Sequence, residues 1–290
     1  MREVQCVWQA EAILGEALFW DANERVLYWV DISGKAVLRW DPATGGRDTY
    51  QFDREIGCIV PRSGGGFIAG VDDGLAYLDR ELTRLDIFAS PEASNDDTRF
   101  NDGKCDPRGR FWVGSTDKNE TEPFGALYRI NGEGRVEQVL SDIIVSNGLG
   151  WSPDCKTMYF TDSGMATIYR FDFDIETGAI DGKRNFVVVD QEDGMPDGLA
   201  VDSEGFVWSA HWNGWRVTRY DPDGRVDKVL DLPVPHVTSL AFGGDVLNLL
   251  YMTTARLGLS ASELQEAPLS GGLFVADVGV AGMSVDTYSG

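Results

Sequence analysis

Six consecutive residues, Arg99-Phe100-Asn101-Asp102-Gly103-Lys104, crowd a guanidinium, an amide, a carboxylate and an ammonium into one short run. Asn and Asp in such company can simply make turns, because both hydrogen-bond their own backbone and tolerate left-handed geometry. The placement of the run argues for more. Asn101 lies eleven residues ahead of Trp112, and at eleven or twelve residues Glu16 precedes Tyr28, Asn147 precedes Tyr159 and Asp197 precedes Trp208. Four oxygen donors, two of them formally charged, make a cation site if the fold gathers these places. Oxygen ligation without His or Cys suits Ca²⁺, Mg²⁺ or Mn²⁺ better than structural zinc. Taken singly, Asn147-Gly148 and Asp197-Gly198 are turn dipeptides, and Glu16 sits among apolar residues where a buried carboxylate needs a partner. The corresponding places near Ile56 and Thr238 carry no charged donor.

The strand residues used as reference points show what must position these donors. Tyr28, Ile68, Trp112, Tyr159, Trp208 and Tyr251 each sit in a short apolar strand and recur at steps of 40 to 49 residues. A turn precedes each strand, as in Asp106-Pro107-Arg108-Gly109 and Asp202-Ser203-Glu204-Gly205, and a further strand often follows, as in Leu127-Tyr128-Arg129-Ile130. A repeat of roughly 40–50 residues holding several strands is the mark of a β-propeller blade. Six such units predict an all-β, six-bladed β-propeller spanning 1–290 as a single domain. The segments before the first reference point and after the last are long enough to share a blade, so that terminal strands close the ring and leave no open sheet edge. Residues 260–266 alone read as a short capped helix. In a closed ring the matched positions lie at one height on the innermost strands and meet at one mouth of the channel.

Composition narrows the partners. With 47 acidic against 25 basic residues, a net charge of −22 repels phosphate backbones and anionic lipid, so neither nucleic acid nor membrane is expected. The first eight residues hold no apolar leader and no stretch is long enough to span a bilayer. Cys6, Cys58, Cys105 and Cys155 are scattered without short-range pairing, which predicts reduced, small buried side chains and a cytoplasmic setting. Neither His211 nor His236 lies near a cysteine in sequence. His211, beside Trp212 at the end of a strand, is placed equally well at the mouth or as a partly buried aromatic neighbour; His236 has no spacing argument.

Several motifs in order and spacing carry a resemblance over nearly the whole chain. Leu14-Gly15-Glu16, the run from Arg99 to Lys104, Ser146-Asn147-Gly148-Leu149 with Ser152-Pro153-Asp154, Pro196-Asp197-Gly198-Leu199 with Asp202-Ser203-Glu204-Gly205, and the run from Thr238 to Gly244 resemble the senescence marker protein/gluconolactonase family, regucalcin-like. The resemblance implies a divalent cation held by Glu16, Asn147 and Asp197, with calcium, magnesium, manganese, zinc or iron as the ion. It implies substrate contacts from Arg99 and Asn101, and hydrolysis of a sugar lactone to the aldonic acid by a monomer or small homo-oligomer. Some relatives place an acidic substrate contact after the blade-three strand; here the matching position is Asn119, with Glu120 beside it.

Opening a lactone with water needs a polarised carbonyl, an activated water and support for the oxyanion. Asp197 is the expected proton acceptor, and the permanently charged Arg99 suits an oxygen of the substrate. Two rivals keep the fold and change the use: a propeller that only binds, its cation bracing the blades, and a metal-dependent phosphoester or organophosphorus hydrolase.

Overall fold

The computed structural model describes residues 4–290; Met1, Arg2 and Glu3, which open the stretch expected to carry no leader, lie outside the described residues. Its strands form six four-stranded sheets, the blades of an all-β propeller. Blades one to five each take four consecutive strands. Blade six runs outward from Val237–Gly243 through Leu249–Thr254 and Leu273–Asp277 to the N-terminal strand Gln5–Trp8. The termini therefore close the ring as expected, with Gln5 opposite Val275 and Cys6 opposite Phe274.

Burial explains which segments the sequence marks clearly. Second strands are buried along their whole length: Val26–Asp31 is a near-continuous apolar run, and Phe111–Asp117 opens on the apolar Phe111-Trp112-Val113. Outermost strands such as Arg47–Gln51 and Val136–Ile143 are polar and largely exposed.

The turn from the first to the second strand is built on a buried carboxylate in blades three and five. Asp106 Oδ1 accepts from the backbone N–H of Arg108 at 2.9 Å and of Arg110 at 3.1 Å, while Oδ2 accepts from Trp112 Nε1 at 2.8 Å. Asp202 repeats the arrangement with Glu204, Phe206 and Trp208. Gly109 and Gly205 close these turns with φ of +74° and +83°, a region that side chains with a Cβ rarely enter. One carboxylate thus fixes both the turn and the core Trp after it.

The expected short helix is Ala261–Glu266, opened by a capping box between Ser260 and Glu263. No described helix is long and apolar enough to cross a membrane. All four cysteines are free; Cys58 and Cys105 are buried as expected, whereas Cys6 and Cys155 are partly exposed. Residues 281–290 cross the base of the ring, away from the starts of the inner strands. Ser203 N–H donates to Ala281 O at 2.9 Å, Gly282 N–H to Leu247 O at 2.8 Å, Tyr288 N–H to Pro61 O at 2.9 Å and Ser289 N–H to Gly109 O at 3.0 Å. Tyr288 is fully buried.

Candidate metal and substrate site

The inner strands do not run in simple register with their neighbours. The ladder slips between Glu16 and Phe19, between Phe100 and Gly103, between Asn147 and Leu149, and between Pro196 and Leu199. Each slip is a bulge on or beside a predicted donor, and bulges re-aim side chains that a regular pleat would send elsewhere. The recurring offset seen in the sequence is therefore the offset from a bulge at the mouth to an aromatic in the next strand.

Asn147-Gly148 and Asp197-Gly198 are not turns. They lie within the strands Ser146–Trp151 and Met195–Val201. Their glycines serve a different need: a Cβ on Gly148 would stand 2.7 Å from Asp197 O, and one on Gly198 would stand 2.7 Å from Thr238 O. Inner strands of adjacent blades converge at the axis, and only a bare Cα admits the neighbour's backbone there.

A chain of hydrogen bonds crosses three blades. Arg99 Nη1 donates to Asn101 Oδ1 at 2.6 Å, and Asn101 Nδ2 donates to Ser146 O at 2.8 Å and to Asn147 Oδ1 at 3.1 Å. Asn147 Nδ2 donates to Ser163 Oγ at 2.9 Å, and Ser163 Oγ donates to Pro196 O at 2.6 Å, next to Asp197. Asn101 thus spends both of its amide N–H groups on the protein, and Asn147 Nδ2 is tied to Ser163.

Glu16 and Asp197 are buried beside each other at the axis. Burial first, then the negative charge of Asp102, pushes the Glu16 carboxyl well above the usual carboxylate range. Burial and then the charges of Glu16, Asp102 and Glu120 do the same to Asp197. Two buried carboxylates at close quarters cannot both stay ionised without a compensating positive charge. Asp197 Oδ1 is buried and has no hydrogen-bond partner. Among the described residues no three His, Cys, Asp or Glu side chains gather as a metal-binding group; the donor set here is two carboxylates and the Asn147 amide oxygen. Those hard oxygens, one of them orphaned, fit a divalent cation.

Glu16, Arg99, Asn101, Asn119, Asn147 and Asp197 all line one cavity of about 340 Å³. Asn119 and Glu120 reach it on a loop organised by Asp117, whose carboxylate accepts from the N–H groups of Asn119, Thr121 and Glu122 at 3.3, 2.8 and 2.9 Å. The other two blades behave as their sequence indicates: Ile56 is fully buried, and Thr238 Oγ1 donates to Gly15 O.

Three features go beyond what spacing alone could give. Asp102 and Lys104 leave the mouth and line the lower channel, Lys104 Nζ donating to Leu199 O at 2.9 Å, because the bulge turns Asp102 away from its neighbour Asn101. His211 is fully buried, its Nδ1 2.8 Å from Asp193 O, so it does not line the mouth. Trp212, one residue on and therefore on the other face of the strand, does. His236 stacks against Trp212 with ring centroids 3.9 Å apart and planes 8° apart. Ser163 orients Asn147 and was invisible to the spacing argument, since it follows the second strand of its blade instead of opening the first.

A family model described as SMP-30/Gluconolactonase/LRE-like region matches residues 14–256. The chain is 38% identical over 289 residues, 99% of each sequence, to a 6-deoxy-6-sulfogluconolactonase of Pseudomonas putida. It is 35% identical over 293 residues, again 99% of each, to regucalcin of Danio rerio. The fold superposes with a TM-score of 0.93 on a calcium-binding protein, regucalcin, from Agrobacterium tumefaciens, at 27% identity and covering 98% of this chain and 96% of that one. With its family model spanning most of the ring and such relatives matched end to end, the chain belongs to the SMP-30/gluconolactonase/LRE-like family.

Proposed function

We propose that the protein hydrolyses a sugar lactone to the aldonic acid with the aid of one divalent cation. The observation that carries this reading is the pair of buried carboxylates, Glu16 and Asp197, with an unpartnered oxygen facing a cavity that also holds Arg99. The relative named as a sulfogluconolactonase supports the reaction class, and the calcium-binding relative supports the ion. Glu16, Asn147 and Asp197 would hold the cation. When bound there, such an ion supplies Lewis-acid polarisation of the ester carbonyl.

The chain's own groups do the rest. Arg99 spends Nη1 on Asn101 and turns its remaining N–H groups to the cavity, where they hold a carbonyl or hydroxyl oxygen by charged hydrogen bonds. Asn101 keeps both the Asn147 amide and the Arg99 guanidinium oriented, so its part in substrate binding runs through Arg99, the donor that faces the developing oxyanion. The Asp197 carboxylate accepts the proton of the attacking water. Asn119 and Glu120 contact the hydroxyls at the rim. The setting is cytoplasmic, and the chain acts as one domain, as a monomer or small homo-oligomer.

Acid release measured by pH-stat on freshly prepared five- and six-membered aldonolactones, with chelator and then with Ca²⁺, Mg²⁺ or Mn²⁺, tests the proposal. Metal-restored turnover is the expected result. Acid release unaffected by chelator sinks the cation's role, and no acceleration of any lactone sinks the lactonase reading in favour of a binding or organophosphorus function.

A further inference from the structure

The cavity has two unlike sides. Blade three supplies polar and charged groups, Arg99 and Glu120 among them, whereas the opposite wall is apolar and comes from Leu14, Met195, Trp212 and Leu257. That wall is built and not incidental. Met195 and Trp212 face each other as register partners in blade five. The segments bearing Leu14 and Leu257 are joined by backbone bonds, Leu257 N–H donating to Ile13 O at 2.8 Å and Leu14 bridging Ala255. The rear of Trp212 rests on His236, whose Nδ1 is buried without a partner, so an uncharged ring backs the indole. Met195 and Leu257 nevertheless stay 41% exposed at the opening, large apolar side chains left facing solvent where a ligand would cover them.

The charges argue in the same direction. Of the charged lining residues Glu16, Asp197, Glu120 and Arg99, only Arg99 is positive, and it stands on the polar side, tied by Nη1 to Asn101 and to Phe100 O. Arg256, next to Leu257, is paired with Glu11 at 3.2 Å, and Arg216, on the strand beside Trp212, with Asp193 at 2.6 Å.

We infer that the site selects uncharged lactones whose non-reacting end is apolar, a deoxy or alkyl substituent packed on the Trp212–Leu257 wall, over lactones bearing a sulfonate or phosphate there. This rests on the lactonase reading and separates the chain from its relative named for a sulfonated substrate. Among the described residues no free cation lines this wall to meet a desolvated anion. A methyl group in place of a hydroxyl gains burial and sheds the need for a hydrogen bond, roughly a three- to tenfold preference.

The test compares kcat/KM for glucono-1,5-lactone with its 6-deoxy, 6-deoxy-6-sulfo and 6-phospho forms. Equilibrium binding of 1,5-anhydroglucitol and its 6-deoxy analogue, which keep the ring and lack the ester, is measured alongside. The expected order is 6-deoxy above parent by about three- to tenfold, with both anionic lactones at least about tenfold below parent. Trp212→Ala should erase the 6-deoxy preference. Leu257→Arg, at an exposed position that tolerates substitution, should raise the sulfonated lactone relative to the parent. A sulfonated or phosphorylated lactone used as well as the parent by the unmodified protein overturns the inference while leaving the lactonase reading intact. If no lactone is hydrolysed yet the 6-deoxy anhydroalditol binds more tightly than its parent, the lactonase reading falls and the apolar recognition stands. No hydrolysis and no preference in binding overturns both.

Discussion

Asn101 Nδ2 donates to Asn147 Oδ1 across 3.1 Å, so the inner strand of blade three dictates which way the amide of blade four faces. With Nδ2 of Asn147 committed to Ser163, the carbonyl oxygen is the end left for a cation. Orientation in this site is thus inherited between blades. Asn101→Ala should weaken cation binding even though Asn101 is not among the proposed ligands, by about 1–3 kcal/mol for an amide left without its partner. Calorimetric titration of the ion decides this, and an unchanged affinity would show that Asn147 holds its pose unaided.

The buried pair of Glu16 and Asp197 makes a two-sided prediction for stability. In chelator, Asp197→Asn should melt at or above the parent, because it relieves a like-charge contact that only protonation can otherwise relieve. With excess ion the order should reverse, since the parent gains RT ln(1 + [L]/Kd), about 2.7 kcal/mol at a hundredfold excess over Kd, and the variant does not. Parallel melting curves with and without Ca²⁺ provide the check; a variant that gains as much from the ion as the parent places the ligands elsewhere.

Arg99 should separate chemistry from cation binding. Arg99→Ala removes charged hydrogen bonds to substrate, on the order of 1.5–3 kcal/mol in kcat/KM. The loss in ion affinity should be smaller, because Arg99 reaches Asn147 only through Asn101. Equal losses in both quantities would reassign Arg99 from substrate contact to support of the ligands.

Acid should weaken the fold through its histidines. Burial draws His211 down from 6.5 to about 4, and the same cause draws down His236. The unfolded chain takes up protons near pH 6.5 that the folded chain refuses until about pH 4, so stability is full above 6.5 and falls as pH drops through that window. For the fully buried His211 the shift corresponds to on the order of 3 kcal/mol. Urea unfolding at pH 7 and pH 5 in saturating Ca²⁺, with His211→Asn as comparison, measures it. The slope should flatten in the variant.

Closure by the N-terminal strand predicts cooperativity. Deleting residues 1–9 strips Gln5–Trp8 from Leu273–Asp277 and reopens an edge in blade six; deleting 27 residues also removes Glu16 and the inner strand of blade one. The shorter deletion should lower the melting temperature and the longer one abolish a sharp transition. A truncated chain with full β signal and an unshifted melt would show that the ring holds without its latch.

Strands buried on both faces announce themselves, which is why Tyr28, Trp112 and Trp208 marked the blades and Glu16, Asn101, Asn147 and Asp197 could be placed from them. Outermost strands such as Ile180–Val188 are mostly solvated and carry no such pattern. Spacing left finer choices in the site open for a single reason: on a strand, neighbours face opposite ways, so whether His211 or Trp212 reaches the mouth, and whether Asp102 stays with Asn101, depends on the pleat and the bulge. Ser163 belongs to another strand's end and contributes through one hydroxyl, a contact that no spacing rule encodes.

The C-terminal segment crosses the base, with Met283, Val285 and Asp286 lining the lower channel, while the candidate site lies at the other end of the ring. On the proposed lactonase reading, reactant and product pass the mouth lined by Glu120, in the field of a chain carrying a net charge of −22. A neutral lactone approaches that field without penalty. Its hydrolysis creates a carboxylate inside it, and the repulsion that nothing felt on the way in then drives the acid out, giving the reaction an exit bias that salt should blunt and the unreacted ring should never feel.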